Sequence, residues 1–163
     1  MITKFSNILS IFLYEKTILY LDNLKKNKAI LFSTSFLNWK NELIKNSAPI
    51  LRYDFNENDI DIFYELKKEI EDKIPYIINT ATFHLYPNLS YITWHDDHNY
   101  DAALTIFLNE NWDEDWGGYL MYKENNEIKA IKPEKNMGVL QENSIEHCVT
   151  TNNIGAPIRT TLQ

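Results

Sequence analysis

Cysteine, basic residues, long apolar runs and internal repeats are all scarce in this chain, and each scarcity excludes something. Cys148 is the single cysteine among 163 residues. It cannot close an internal disulfide, so nothing points to an oxidising compartment; a cytoplasmic address and a small buried thiol are expected. Lys and Arg number 16 against 23 Asp and Glu, a formal net charge of −7. Phosphate backbones are bound by clustered cations, so nucleic acid is not the expected partner. The one candidate membrane or signal stretch, Ile8 to Leu21, is interrupted by Glu15 and Lys16, and no small-residue cleavage site follows it. It reads as a buried helix, and no membrane association is expected. Without a repeat or a low-complexity linker a second domain has nowhere to begin, so one domain over residues 1–163 is predicted.

What is present suits a globular fold, since 44% hydrophobic and 13% aromatic residues can build a sizeable core. Ile8, Ile11, Phe12, Ile18 and Leu21 recur at mostly helical spacing and predict a first helix that ends in the polar run Asp22 to Lys28. Ala29 to Phe32 reads as a short strand. Phe36, Trp39, Leu43 and Ile44 suggest a second helix capped by Ser33, Thr34 or Ser35. Ile60, Phe63, Leu66, Ile70 and Ile74 stand three and four apart with charges between them, an amphipathic helix over Glu57 to Ile74 that Pro75 ends.

Beyond Pro75 the texture becomes short β-branched and aromatic runs. Eight strands are predicted: Ile78 to Leu85, Ser90 to Trp94, Ala102 to Leu108, Tyr119 to Tyr122, Glu127 to Ile131, Gly138 to Gln141, Ser144 to Thr150 and Pro157 to Leu162. Turn signals separate them, among them Pro87-Asn88, Gly117-Gly118 and Glu124-Asn125-Asn126. The expected order is therefore helices over about 1–75 and then a β core over about 76–163. That is an α+β or mainly β fold, with helices buttressing a sandwich or barrel.

Chemistry concentrates in Trp94-His95-Asp96-Asp97-His98. His95 and Asp97 are two apart on a strand or strand end, so an imidazole and a carboxylate project to one face. A second imidazole from a distant strand would complete a facial triad of the kind that leaves open positions on Fe(II). His147 is the best candidate by position, in a later β-like run; His84 and His98 compete, though His98 would point to the opposite face from the pair. Twelve residues after His147 stands Arg159, whose planar guanidinium suits bidentate capture of a carboxylate, with Thr161 on the same side.

This order resembles the prolyl-4-hydroxylase-like branch of the Fe(II)/2-oxoglutarate-dependent oxygenases. The resemblance runs over Tyr86 to Gln163 through His95-x-Asp97, Leu104 to Asn109, Trp116-Gly117-Gly118-Tyr119-Leu120, His147 and Arg159-Thr160-Thr161. It implies a double-stranded β-helix, a jelly roll of cupin type, with His95, Asp97 and His147 as the catalytic metal ligands. It also implies that Arg159 pairs with the distal carboxylate of 2-oxoglutarate, that Thr161 supports it and that Tyr86 lines the cosubstrate pocket. Fe(II), 2-oxoglutarate and O2 are the implied cofactors, with ascorbate a candidate addition. The implied reaction is hydroxylation of an unactivated C–H bond, in a prolyl residue of a peptide or in a free amino acid or small molecule, with release of succinate and CO2. Retention of Asp97 favours hydroxylation over halogenation, which needs that position vacated. Two residues depart from the pattern: Phe107 stands where some relatives have a tyrosine, and Tyr119 where an acidic residue is common.

Plainer readings compete at several positions. Arg159 could be an exposed strand residue in an ordinary surface ion pair. Asp96 and Asp113 to Asp115 read first as a solvated loop and second as an entrance for a cationic substrate. Trp94, Trp112 and Trp116 read first as packing. Among functions, a non-enzymatic module that binds metal or a small acid is the main rival, and a zinc hydrolase using the same histidines is a third reading.

Overall fold

A computed structural model of the chain describes residues 1–27, 33–34, 46–97, 99–142 and 145–163. The strand expected at Ala29 to Phe32, the helix expected around Phe36 to Ile44, and His98 lie outside the described residues.

The first helix, α1 (Ile11–Asn27), buries Leu13, Tyr14, Leu21 and Leu24. Ser10 caps its start, its hydroxyl accepting from Leu13 N at 3.3 Å and donating to Glu69 at 2.9 Å. The second, α2 (Ile60–Glu71), follows a 3₁₀ turn, Glu57–Asp59, in which Asn56 and Asp59 form a capping box. Ile62, Leu66 and Ile70 make its buried stripe, each side chain contributing about 1.5–3 kcal/mol by leaving water. Its regular part ends at Glu71, but Lys73 and Ile74 still donate to the Ile70 carbonyl, so the predicted apolar stripe to Ile74 is kept without a full helical turn.

Eleven strands among the described residues form two antiparallel sheets. They are β1 (Ile2–Phe5), β2 (Ser33–Thr34), β3 (Leu51–Asp54), β4 (Thr82–Tyr86), β5 (Ile92–His95), β6 (Ala102–Phe107), β7 (Leu120–Glu124), β8 (Glu127–Ile131), β9 (Gly138–Glu142), β10 (His147–Val149) and β11 (Arg159–Leu162). The large sheet runs β1-β9-β6-β11-β4-β3-β2 and the small one β5-β10-β7-β8. All eight predicted strands are present, with ends moved by a few residues. The β7–β8 hairpin turns on Asn125 and Asn126, both at positive φ, 53° and 64°.

Alternation along the large sheet sorts its side chains between two cores. Phe83, Leu85, Ile106, Leu140 and Leu162 pack against α1 and α2. Tyr86, Phe107 and Val139 face the other way, onto Ile92, Leu120, Tyr122 and Val149 of the small sheet. This is the jelly-roll sandwich backed by helices.

Two expectations need correction. Ile11 and Phe12, counted in the apolar stripe of the first helix, are exposed, and Leu13 and Tyr14 are the residues buried in its first turn. The order is not helices followed by strands, because β1 precedes α1 and pairs with β9 from Ile2–Gln141 to Phe5–Gly138, while β3 sits between the helices and extends the sheet beyond β4. Both strands cover edges that β9 and β4 would otherwise leave unpaired. No helix among the described residues is long and apolar enough to cross a membrane.

Candidate active site

His95 closes β5 and His147 opens β10, and the two are direct antiparallel partners. Their rings lie 4.2 Å apart between centroids. Each Nδ1 is tied to the backbone carbonyl two residues earlier, His95 to Thr93 at 2.8 Å and His147 to Ile145 at 2.9 Å. A carbonyl only accepts, so each Nδ1 carries a proton and each ring turns its Nε2 toward the space between the strands. Asp97 reaches the same space just past the end of β5. Its Oδ2 is 3.5 Å from His147 Nε2 and its Oδ1 is 3.9 Å from His95 Nε2. The three ligand atoms all fall within 4.8 Å of one another. Burial, and next the facing His147, push the His95 imidazole below its ordinary pKa and so favour the neutral ring that a metal requires.

Across the cavity, Arg159 begins β11 opposite Tyr86 of β4. It is 1% exposed, with its guanidinium carbon 4.4 Å from the Tyr86 ring centroid and 5.1 Å from that of Phe107. Its Nε and one terminal nitrogen are buried without any hydrogen-bond partner among the described residues. A buried cation with two idle donors calls for an anion with two acceptors, which is the shape of a carboxylate. Burial also draws the Arg159 pKa down, against the neighbouring Tyr86. Tyr86 itself is pushed up by burial, with the Arg159 charge opposing, so its phenol stays protonated.

Local contacts hold this arginine in place. Asn109 brackets the start of β11, accepting from Thr160 N at 2.7 Å and donating to the Ile158 carbonyl at 2.9 Å. Gly118, at φ +64°, lets the arginine stem pass: a Cβ there would come within 3.0 Å of Arg159 Cδ and 3.1 Å of Trp112, and would collide with Asn152 Oδ1. The fully buried Asn152 in turn donates to the Tyr86 carbonyl at 2.8 Å. A cleft of about 1170 Å³ is lined by His95, Asp97 and His147 together with His84, Tyr86 and Arg159.

Residues 81–163 match the sequence model of the 2OG-Fe(II) oxygenase superfamily. The chain belongs to that superfamily.

Solved structures agree on the fold of this 2OG-Fe(II) oxygenase. A Pseudomonas putida prolyl-4-hydroxylase superposes with a TM-score of 0.74 at 13% identity, over 99% of this chain and 89% of the other. A prolyl hydroxylase from Trichoplax adhaerens gives 0.79 at 17%, over 99% and 80%. The viral collagen prolyl hydroxylase of Paramecium Bursaria Chlorella virus-1 gives 0.62 at 16%, over 99% and 92%. No curated protein sequence matches.

Membership implies Fe(II), 2-oxoglutarate and O2, and the residues present fit them. Two free imidazole nitrogens and one carboxylate make a facial donor set for Fe(II), and the idle Arg159 donors suit an acid. The oxygenase brings every predicted site residue but one to the cleft wall. Thr161 faces the same side as Arg159 and is fully buried, its hydroxyl accepting from Gln163 Nε2 at 2.9 Å.

The surface reading of Arg159 is overturned by its burial. Asp113 to Asp115 form an exposed loop in which Asp113 accepts from Asp115 N at 2.9 Å, as the solvated reading has it. Trp112 and Trp116 pack edge to face at 5.4 Å, and Lys123 lies 4.9 Å from the Trp94 ring. Tyr119 turns outward, its hydroxyl donating to the Glu114 carbonyl at 3.0 Å. Sequence reasoning misses Asn152 and the role of Asn109, since an asparagine in a turn or at a strand end carries no mark of its partner.

Proposed function

We propose that this oxygenase hydroxylates an unactivated C–H bond, either of a prolyl residue in a peptide or of a free amino acid or small molecule, with His95, Asp97 and His147 as metal ligands. The observation that carries the reading is the convergence of those three side chains on a cleft shared with the buried Arg159, two of whose nitrogens have no hydrogen-bond partner among the described residues. The Trichoplax adhaerens relative is in complex with a hypoxia inducible factor peptide fragment, which supports a peptide as one substrate class.

Each residue has a definable task. His95 and His147 are oriented with Nε2 toward the metal position by their Nδ1 contacts to Thr93 and Ile145, and Asp97 brings a carboxylate opposite them. Arg159 takes the distal carboxylate of 2-oxoglutarate, with Thr161 two residues on along the same strand and Tyr86 opposite on β4. The aromatic walls on either side of the guanidinium keep water from competing for that pair. When bound, Fe(II) with 2-oxoglutarate and O2 supplies the oxidation, in which the keto acid loses CO2 to become succinate and one oxygen atom enters the C–H bond. The unpaired Cys148 fits a reducing, cytoplasmic setting, and the two packed sheets with their helices form one domain in this reading.

The test is anaerobic titration of Fe(II)-loaded protein with 2-oxoglutarate, watching the visible charge-transfer band of the chelated keto acid, with Arg159→Ala as control. A band that weakens in the variant is expected, followed by succinate release on screening amino acids and proline-containing peptides. Iron binding with no band would leave a metal-binding module instead.

A further inference from the structure

We propose that His84 is a third donor to the distal carboxylate of the bound keto acid, beside Arg159 and Thr161. This rests on the site reading above. His84 lies on the inner face of β4, directly opposite Thr161 on one side and Arg52 of β3 on the other. Its ring centroid is 6.2 Å from that of Tyr86, the ring on which the Arg159 guanidinium rests. It lines the same cleft as the metal ligands.

Its Nδ1 is buried and makes no hydrogen bond among the described residues. Such a group is costly unless something else satisfies it. The idle nitrogens of Arg159 sit on the adjoining strand of the same sheet face. The Thr161 hydroxyl, whose oxygen accepts from Gln163, keeps its proton free to donate. One carboxylate, with about four acceptor positions, has room for the two Arg159 nitrogens, the Thr161 hydroxyl and His84 Nδ1. Phe107, the residue facing Thr161 from β6, has no polar atom, so the third donor comes from the β4 side.

The charge balance also fits. Arg52 is engaged with Asp54, and burial, then Arg52 and Arg159, hold the His84 imidazole down to about 3. A neutral ring gives one N–H without adding a third positive charge to the pocket.

The same anaerobic band titration tests this in wild type, His84→Leu, His84→Asn and Arg159→Ala, with 2-oxoglutarate and with 2-oxopentanoate, which has the keto acid but no distal carboxylate. His84→Leu should weaken 2-oxoglutarate by about tenfold or more, the effect of one lost hydrogen bond to a charged group. His84→Asn, whose amide nitrogen can take the Nδ1 position, should restore most of that affinity, and 2-oxopentanoate should bind wild type and both His84 variants alike. Unchanged 2-oxoglutarate affinity in His84→Leu, or equal weakening of both acids, overturns the role. Absence of a band in wild type, or an unaffected Arg159→Ala, overturns the site reading itself, whereas a weakened Arg159→Ala with an unaffected His84→Leu removes His84 alone. Nitrogen NMR of His84 in Zn(II)-loaded protein reads the same contact without a variant. Nδ1 should shift on adding 2-oxoglutarate and not on adding 2-oxopentanoate, and a Nδ1 that responds to neither refutes the proposal.

Discussion

Replacing Arg159 with methionine should make the protein more stable without keto acid and much less responsive to 2-oxoglutarate. Methionine keeps an unbranched stem between the rings of Tyr86 and Phe107, so packing is largely retained. What is lost is a stacking attraction of about 0.5–2 kcal/mol. What is relieved is larger. Two buried N–H donors without partners cost about 1–3 kcal/mol each, and a desolvated charge adds to that. Mid-range values leave a net gain of about 3 kcal/mol, which for a chain of this length raises Tm by roughly 6–12 °C. Wild type should instead gain about 2.7 kcal/mol at a 2-oxoglutarate concentration of about 100 times its Kd, and the variant much less at the same concentration, since only metal chelation remains to hold the acid. Urea and thermal denaturation of metal-loaded protein, with and without 2-oxoglutarate, measure all four states. An Arg159→Met protein less stable than wild type in the absence of keto acid would refute the claim that this arginine is held at a cost.

Asp97→Ala removes one of three ligands and should lower Fe(II) or Mn(II) affinity more than about 100-fold, beyond the usual effect of losing a supporting contact; isothermal titration with Mn(II) reads this directly. Gly118→Ala combines a left-handed backbone penalty of about 1–2 kcal/mol with overpacking of about 1–3 kcal/mol against Asn152 and the Arg159 stem, so urea denaturation should show a loss of about 2–5 kcal/mol. The His84 imidazole is depressed to about 3 when folded and returns to its ordinary value of 6.5 when unfolded, so its neutral form contributes stability that is fully present above pH 6.5 and lost as pH falls toward 3. The slope is at most about 1.4 kcal/mol per pH unit. Denaturation at pH 7 and pH 5 should therefore show a shallower acid loss in His84→Leu, and an unchanged slope would count against the buried neutral ring.

The parts of this architecture written in short-range pattern are legible in the sequence, and the parts that depend on pairing at a distance are not. The period-two runs after Pro75 mark their strands, and His95 and Asp97 share a face for the same reason. By contrast, Ile2–Phe5 is too short to declare itself, and becomes a strand because β9 offers it an edge. Arg159 shows its carboxylate-binding chemistry in its residue type, yet its burial is a property of Tyr86, Phe107 and Gly118 around it. Alternation puts His84 in phase with Tyr86, but which side of β4 meets the helices and which the second sheet is settled only by packing.

The metal ligands hang from the small sheet and the acid anchor from the large one. A molecule that touches both must therefore bridge the gap of about 10 Å between packed sheets. The sandwich works as a calliper, with its opening fixed by the core residues between its jaws and not by any ligand. On this view, thickening a core side chain that does not line the cleft, such as Val139, would retune which length of dicarboxylate the protein accepts, with no contact to the acid altered.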